Sequence, residues 1–120
     1  RAAGLAGSPS IPVPDKLLQM ANAAVEMLRL ALDAFVQKDS RLAREVCRRD
    51  DAVDILNREI IDELLGKMKS APHLIDPALQ LFSASRHIER VADHATNIAE
   101  DVVYLVEGEI IRHQPDFWKR

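Results

Sequence analysis

From Asp15 onward, apolar residues return at alternating steps of three and four: Leu18, Ala21, Val25, Leu28, Leu32 and Phe35. That 3.5-residue seam predicts an amphipathic helix ending near Lys38, with Asp15 as its N-cap after Pro14. Asp39 and Ser40 offer the next cap. A second helix follows, with Leu42, Val46, Val53, Leu56, Ile60, Leu64 and Met68 along one side and Gly66 near its end. Ser70 to His73 reads as a turn. Asp76-Pro77 then places a capping carboxylate before a proline at the first helical position. The third helix, with Ile88, Val91, Ala95, Ile98, Val102 and Leu105 as its seam, is expected to run to about Arg112, ahead of Pro115. No stretch alternates with period two for long enough to make a strand.

Short connections force consecutive helices antiparallel, and heptad spacing favours near-parallel packing. The expected fold is therefore all-α, an antiparallel up-down-up three-helix bundle over residues 15–113. Residues 1–14, with Gly4, Gly7, Ser8, Pro9, Ser10, Pro12 and Pro14, read as a flexible linker or tail. Residues 114–120 read as a C-terminal tail.

Composition narrows the function. The 120 residues are 48% apolar and 29% charged, the balance of one folded domain. Aromatics make up 4% and the net charge is −3, so neither a base-stacking platform nor a duplex-binding footprint is present, and no nucleic-acid partner is expected. One cysteine, Cys47, leaves no internal disulfide and suits a reducing compartment; it reads best as a small apolar packer. The longest apolar run, Val102 to Val106, is far shorter than a membrane span.

The chemistry that stands out is acidic. Glu89 and Asp93 lie four apart on the third helix, and Asn97 and Glu100 continue the row within an arc of about 80°. The second helix carries an analogous pair, Asp50 and Asp54, followed by Asn57. Counting away from the turn brings the two pairs within about 3 Å of a common height on adjacent antiparallel helices. Oxygen ligands at that density suit iron, manganese or magnesium, so a divalent or trivalent ion is a candidate cofactor. The same carboxylates have ordinary ion-pair partners in reach: Arg86 for Glu89, Arg90 for Asp93 and Arg58 for Asp54. Such pairs stabilise by only about 0.2–0.5 kcal/mol, and energetics does not choose between the two readings. The histidines form no Glu-x-x-His pair of the di-iron kind. Gly66-Lys67 lacks the rest of a phosphate loop. Ser83 and Ser85 have no elbow to expose them as nucleophiles.

The run from Arg86 to His113, above all Glu89-Arg-Val-Ala-Asp93-His-Ala-Thr-Asn97-Ile98-Ala99-Glu100 and Tyr104-Leu-Val-Glu-Gly-Glu, resembles the closing helix of the PhoU family. Asp50-Asp-Ala-Val-Asp54 and Ile60-Ile-Asp-Glu-Leu64 on the second helix look like it too, and the likeness covers roughly residues 15 to 113. The resemblance implies a non-enzymatic, cytoplasmic negative regulator of phosphate uptake and phosphate-starvation signalling. Its expected partners are the phosphate ABC-transporter ATPase and a sensor histidine kinase. Family members carry two such bundles in tandem, each with paired Glu/Asp-x-x-x-Asp motifs that hold metal clusters. Here that implies Asp50 with Asp54 and Glu89 with Asp93 as metal ligands, with Asn97 and Glu100 as added neighbours. A full member is nearly twice this long, so the chain reads as the C-terminal repeat alone. A face that the other bundle covers would then be open, and a homo-oligomer is expected through it. The alternatives are a metal-dependent carboxylate-site enzyme and a metal-free structural or dimerisation bundle.

Overall fold

A computed structural model describes residues 9–113, with side chains through residue 110. Three α-helices follow in order: α1 (Asp15–Gln37), α2 (Ser40–Ser70) and α3 (Ile75–His113), with a single 3-10 turn, Pro72–Leu74, between the last two. All three helices pack on one another, and there is no strand among the described residues. Lys16 reaches Glu59 (3.7 Å), Asn57 reaches Glu89, and Arg44 pairs with Glu107, so α2 runs against both neighbours while α1 and α3 run parallel. The result is the expected up-down-up bundle, a slender body of 68 × 28 × 16 Å.

The helix ends show which local signals operate. Pro14, not Asp15, occupies the N-cap of α1; its backbone is extended, and its carbonyl accepts from Leu17 N at 3.0 Å. Asp15 lies one residue later, in the first turn, where its charge still opposes the positive end of the helix. At the other end Lys38 is left-handed (φ 55°), the only non-glycine with positive φ among the described residues. Its N–H donates to Phe35 O and that of Asp39 to Ala34 O (2.9 Å), the double closure of a Schellman ending. Asp39 then opens α2, its carboxylate accepting from Leu42 N at 3.0 Å. One residue thus ends one helix and begins the next.

The start of α3 differs from the expectation of a cap at Asp76. Pro72 opens the 3-10 turn, and Ile75 is already right-handed (φ −60°, ψ −48°), so the chain passes straight from turn to helix. Pro77 therefore sits inside the first turn, where its missing N–H has no intrahelical partner to lose. Residues 9–14 have no regular structure, but Ile11 packs against the core. The expected tail segments 1–8 and 114–120 lie outside the described residues.

The largest difference concerns α1. Its buried face is Leu17, Met20, Ala24, Met27, Ala31 and Ala34, not the bulkier stripe read from the sequence. On that stripe Val25 is 62% exposed and Phe35 57%, whereas Ala24 and Ala31 are at 1% and 0%. The reason is steric. Ala92, Ala95 and Ala99 of α3 are fully buried, and helices whose facing residues are alanines approach closely, with methionines filling what remains. Leu18, Val25, Leu32 and Phe35 are too large for that contact and turn outward. The same logic leaves Leu105 of α3 57% exposed although it was read as part of the seam. The α2 expectation agrees better, with Val46, Val53, Ile60 and Leu64 fully buried and Leu42, Leu56 and Met68 packed beside them.

Candidate functional site

The α2–α3 edge carries the acidic residues, and a small polar network sets its register. Ser85, on α3, is 1% exposed and is the buried polar residue of the described core. Its hydroxyl donates to Asn57 Oδ1 of α2 at 2.5 Å, with Met20 Sδ of α1 3.7 Å away. Asn57 Nδ2 in turn donates to Glu89 Oε2 at 3.2 Å. Three helices are thereby keyed at one level, and Glu89 is held from behind by a neutral amide that adds no charge of its own.

One turn further along each helix, the register set by Asn57 and Glu89 brings Asp54 level with Asp93, and the next turn brings Asp50 level with Asn97. The Arg44–Glu107 ion pair joins the same two helices at the far end. The electrostatics agree. The carboxyl of Asp50 is raised above its ordinary range, first by partial burial and then by the negative charges of Asp54, Asp93, Asp51 and Glu89. Charges from both helices therefore fall on one group. Asp50, Asp54 and Glu89 are half-buried and Asp93 is exposed.

None of the close ion pairs among the described residues joins Arg58, Arg86 or Arg90 to these acids; the arginines that do pair are Arg29, Arg44, Arg48 and Arg49. The surface-ion-pair reading of the acidic face is thus not realised in this arrangement. Glu100 stands apart from the four, and Asn97, level with Asp50, brings no charge. Both are exposed, and the charge of Glu100 falls on Cys47, whose thiol is held above its ordinary value chiefly by burial and then by Glu100 and Asp50. Cys47 and Glu100 share a shallow depression with Arg44, Arg48, Val103, Tyr104 and Glu107.

The donor set is all oxygen, which matches a hard or borderline cation. Among the described residues, however, no three His, Cys, Asp or Glu side chains converge closely enough to hold an ion as they stand. The four acids form a ladder rather than a cup.

Sequence reasoning passed over Ser85 as a bonding partner. The available signal was its place in a strict seven-residue row, Ala78, Ser85, Ala92 and Ala99, all buried. A buried hydroxyl in an alanine row needs a hydrogen-bond partner, and here a neighbouring helix supplies it.

Comparison with known proteins brings in the remaining evidence. A family model described as PhoU domain matches residues 17–102, a span that includes every acidic residue of the ladder. A phosphate-specific transport system accessory protein PhoU homolog 2 from Thermotoga maritima is 43% identical over 90 residues, which is 75% of this chain and 38% of the relative. The corresponding PhoU homolog of Pseudomonas aeruginosa is 42% identical over 88 residues, covering 73% of this chain and 36% of its own length. That of Clostridium acetobutylicum is 34% identical over 94 residues, covering 78% and 43%. The chain thus spans less than half the length of these curated relatives.

Proposed function

This chain belongs to the PhoU domain family, and from that premise we propose that it is a non-enzymatic regulator of phosphate uptake that acts by docking. The observation that carries this reading is the family match across residues 17–102, together with relatives named as accessory proteins of a phosphate-specific transport system. The bundle contributes long helical faces and open grooves, a geometry suited to being gripped by a partner. No helix among the described residues is long and apolar enough to cross a membrane, so contact with a transporter would be made through such a face. The partners we propose are the transporter's cytoplasmic ATPase and a sensor histidine kinase, with restraint of both when phosphate is plentiful as the output. The compartment is then the cytoplasm.

The acidic ladder is proposed as a cation site. Asp50, Asp54, Glu89 and Asp93 would hold the ion, and Asn97 and Glu100 flank it. Support comes from the crowding of like charge on Asp50 and the absence of close arginine partners among the described residues. A bound cation would neutralise that repulsion along the α2–α3 edge. Iron, manganese and magnesium are the ions to try. Elemental analysis of the wild-type chain and of an Asp54→Asn/Asp93→Asn variant tests this part: the variant is expected to lose most of its bound metal, and equal content in both proteins refutes the site. Docking is tested separately by co-purification with the transporter ATPase and the kinase at high and low phosphate. Retention that depends on phosphate is expected, and no retention under either condition refutes the regulatory reading.

A further inference from the structure

The side of α3 turned away from the core carries a row of hydrogen-bond donors. Ser83, Arg86, His87 and Arg90 stand at i, i+3, i+4 and i+7, so they share one face of the helix, and all four are exposed. With Leu79, 51% exposed, and half-buried Phe82 they line a shallow depression. Arg58 flanks it from α2. Asn57 binds Ser85, and one step on from that contact turns both antiparallel helices to the same side of their groove, which puts Arg58 within a turn of Arg86. Seven residues on from Arg58, exposed Leu65 lies within a turn of Leu79. Elsewhere charges at pairing distance along a helix do pair: Arg29 with Glu26 and Asp33, and Arg48 and Arg49 with Glu45. Arg58, Arg86 and Arg90 each have a carboxylate three or four residues away, yet none of them makes a close ion pair among the described residues. The carboxylate of Glu89 is held by Asn57 instead. Arginines four apart on a helix repel, so the row costs stability until an anion neutralises it.

We propose that this end of the α2–α3 groove is the docking face for an acidic, leucine-bearing helical segment of a partner protein, an inference that rests on docking as the mode of action. The guanidinium fork matches a carboxylate in two parallel hydrogen bonds, and arginines beside leucine and phenylalanine have the composition of an interface anchor. A groove between two helices receives a third through side chains spaced like those that line it. Leu65, Leu79 and Phe82 offer apolar contact nearer the turn, the cations lie beyond them, and residues 79–90 extend over about 16 Å, or three helical turns. The segment therefore brings apolar residues at one end and carboxylates at the other. Asp54 and Asp93 come next along the same edge and repel any longer acidic run, which sets its direction and its length. A free phosphate ion would leave the leucines uncovered, and a flat anionic bilayer would meet the acidic ladder together with the arginines.

The probe is a fluorescent helix-forming peptide about four turns long, with leucines on the groove-facing side of its first half and glutamates on that of its second. Its counterpart has lysine for every glutamate. Fluorescence anisotropy with the 120-residue chain should show saturable binding of the glutamate peptide, weakened by salt, and none of the lysine peptide. Arg86→Glu/Arg90→Glu should weaken binding more than tenfold while helical circular dichroism and melting stay near wild type, since both positions are exposed. Arg86→Lys/Arg90→Lys, which keeps the charge and loses the fork, should fall between. Arg48→Glu, outside the groove, should change nothing. No binding of the glutamate peptide, equal binding of both peptides, or equal binding by wild type and Arg86→Glu/Arg90→Glu overturns the proposal. So does binding of inorganic phosphate, or of vesicles of phosphatidylglycerol and phosphatidylcholine, that depends on these arginines while the peptide fails to bind. Arginine-dependent peptide binding by a wild-type chain that retains neither the ATPase nor the kinase would strike those two partners and leave this face standing.

Discussion

The inner face of α1 and the α2–α3 edge solve the same problem of close helix approach in opposite ways. Along the middle of α1 alanines and pliable methionines go inside, and Val25, Leu32 and Phe35 are turned out. On the α2–α3 edge a hydroxyl and an amide go inside, and carboxylates are carried outward in a ladder. The contrast teaches that burial in this bundle follows shape and bonding, not hydrophobicity ranked residue by residue. A valine at position 25 lies in water while a serine at position 85 does not.

The sharpest way to break that comparison is to cut each face of α1. Met27→Ala, on the inner face, is expected to cost about 2–5 kcal/mol in urea unfolding because the vacated volume closes only partly. Val25→Ala, two residues away on the outer face, should stay within about 0.5 kcal/mol at concentrations where the chain is monomeric. Similar losses at the two positions would mean that the faces have been assigned wrongly.

A smaller effect is expected on the polar edge. Ser85→Ala removes the donor to Asn57 and frees Asn57 to turn away from Glu89, with an expected cost of about 1 kcal/mol. In a double-mutant cycle the loss should be largely absent when Asn57 is already leucine, which distinguishes the bond from a mere change of volume.

The smallest effect concerns charge. Because the folded carboxyl of Asp50 titrates above the ordinary value of 3.8, the native state holds its proton more tightly than the unfolded chain. The penalty is absent below that ordinary value, grows as pH rises through the raised one, and is complete beyond it. Asp50→Asn should therefore raise the metal-free Tm slightly at neutral pH, with the gain vanishing below about pH 3.8 and shrinking in high salt. A fall in Tm at neutral pH would contradict the crowding of like charge.

Much of this was readable beforehand. Three helices and the Asp39 cap follow from local spacing, while counting away from one short turn put the two acidic pairs level where the Asn57–Glu89 bond staggers them by about one turn. The face of α1 was not readable, because a seam search rewards bulk. What decides burial there is the room left by the alanines of α3, a property of two helices together. Asp76 misled for a local reason: Pro72 starts a 3-10 turn that hands over directly to α3. The metal reading rests on two things of different kinds: register is a matter of counting, while convergence of the ligands depends on rotamers.

The Lys38–Asp39 joint carries a mechanical consequence. Because Asp39 gives its amide to the helix behind it and its carboxylate to the helix ahead, the connection has no slack residue in which to absorb a length change. It transmits rotational phase like a keyed coupling. Adding a single residue there would turn α2 by about 100° relative to α1, swinging Asp50 and Asp54 away from their counterparts at a distance of several helical turns.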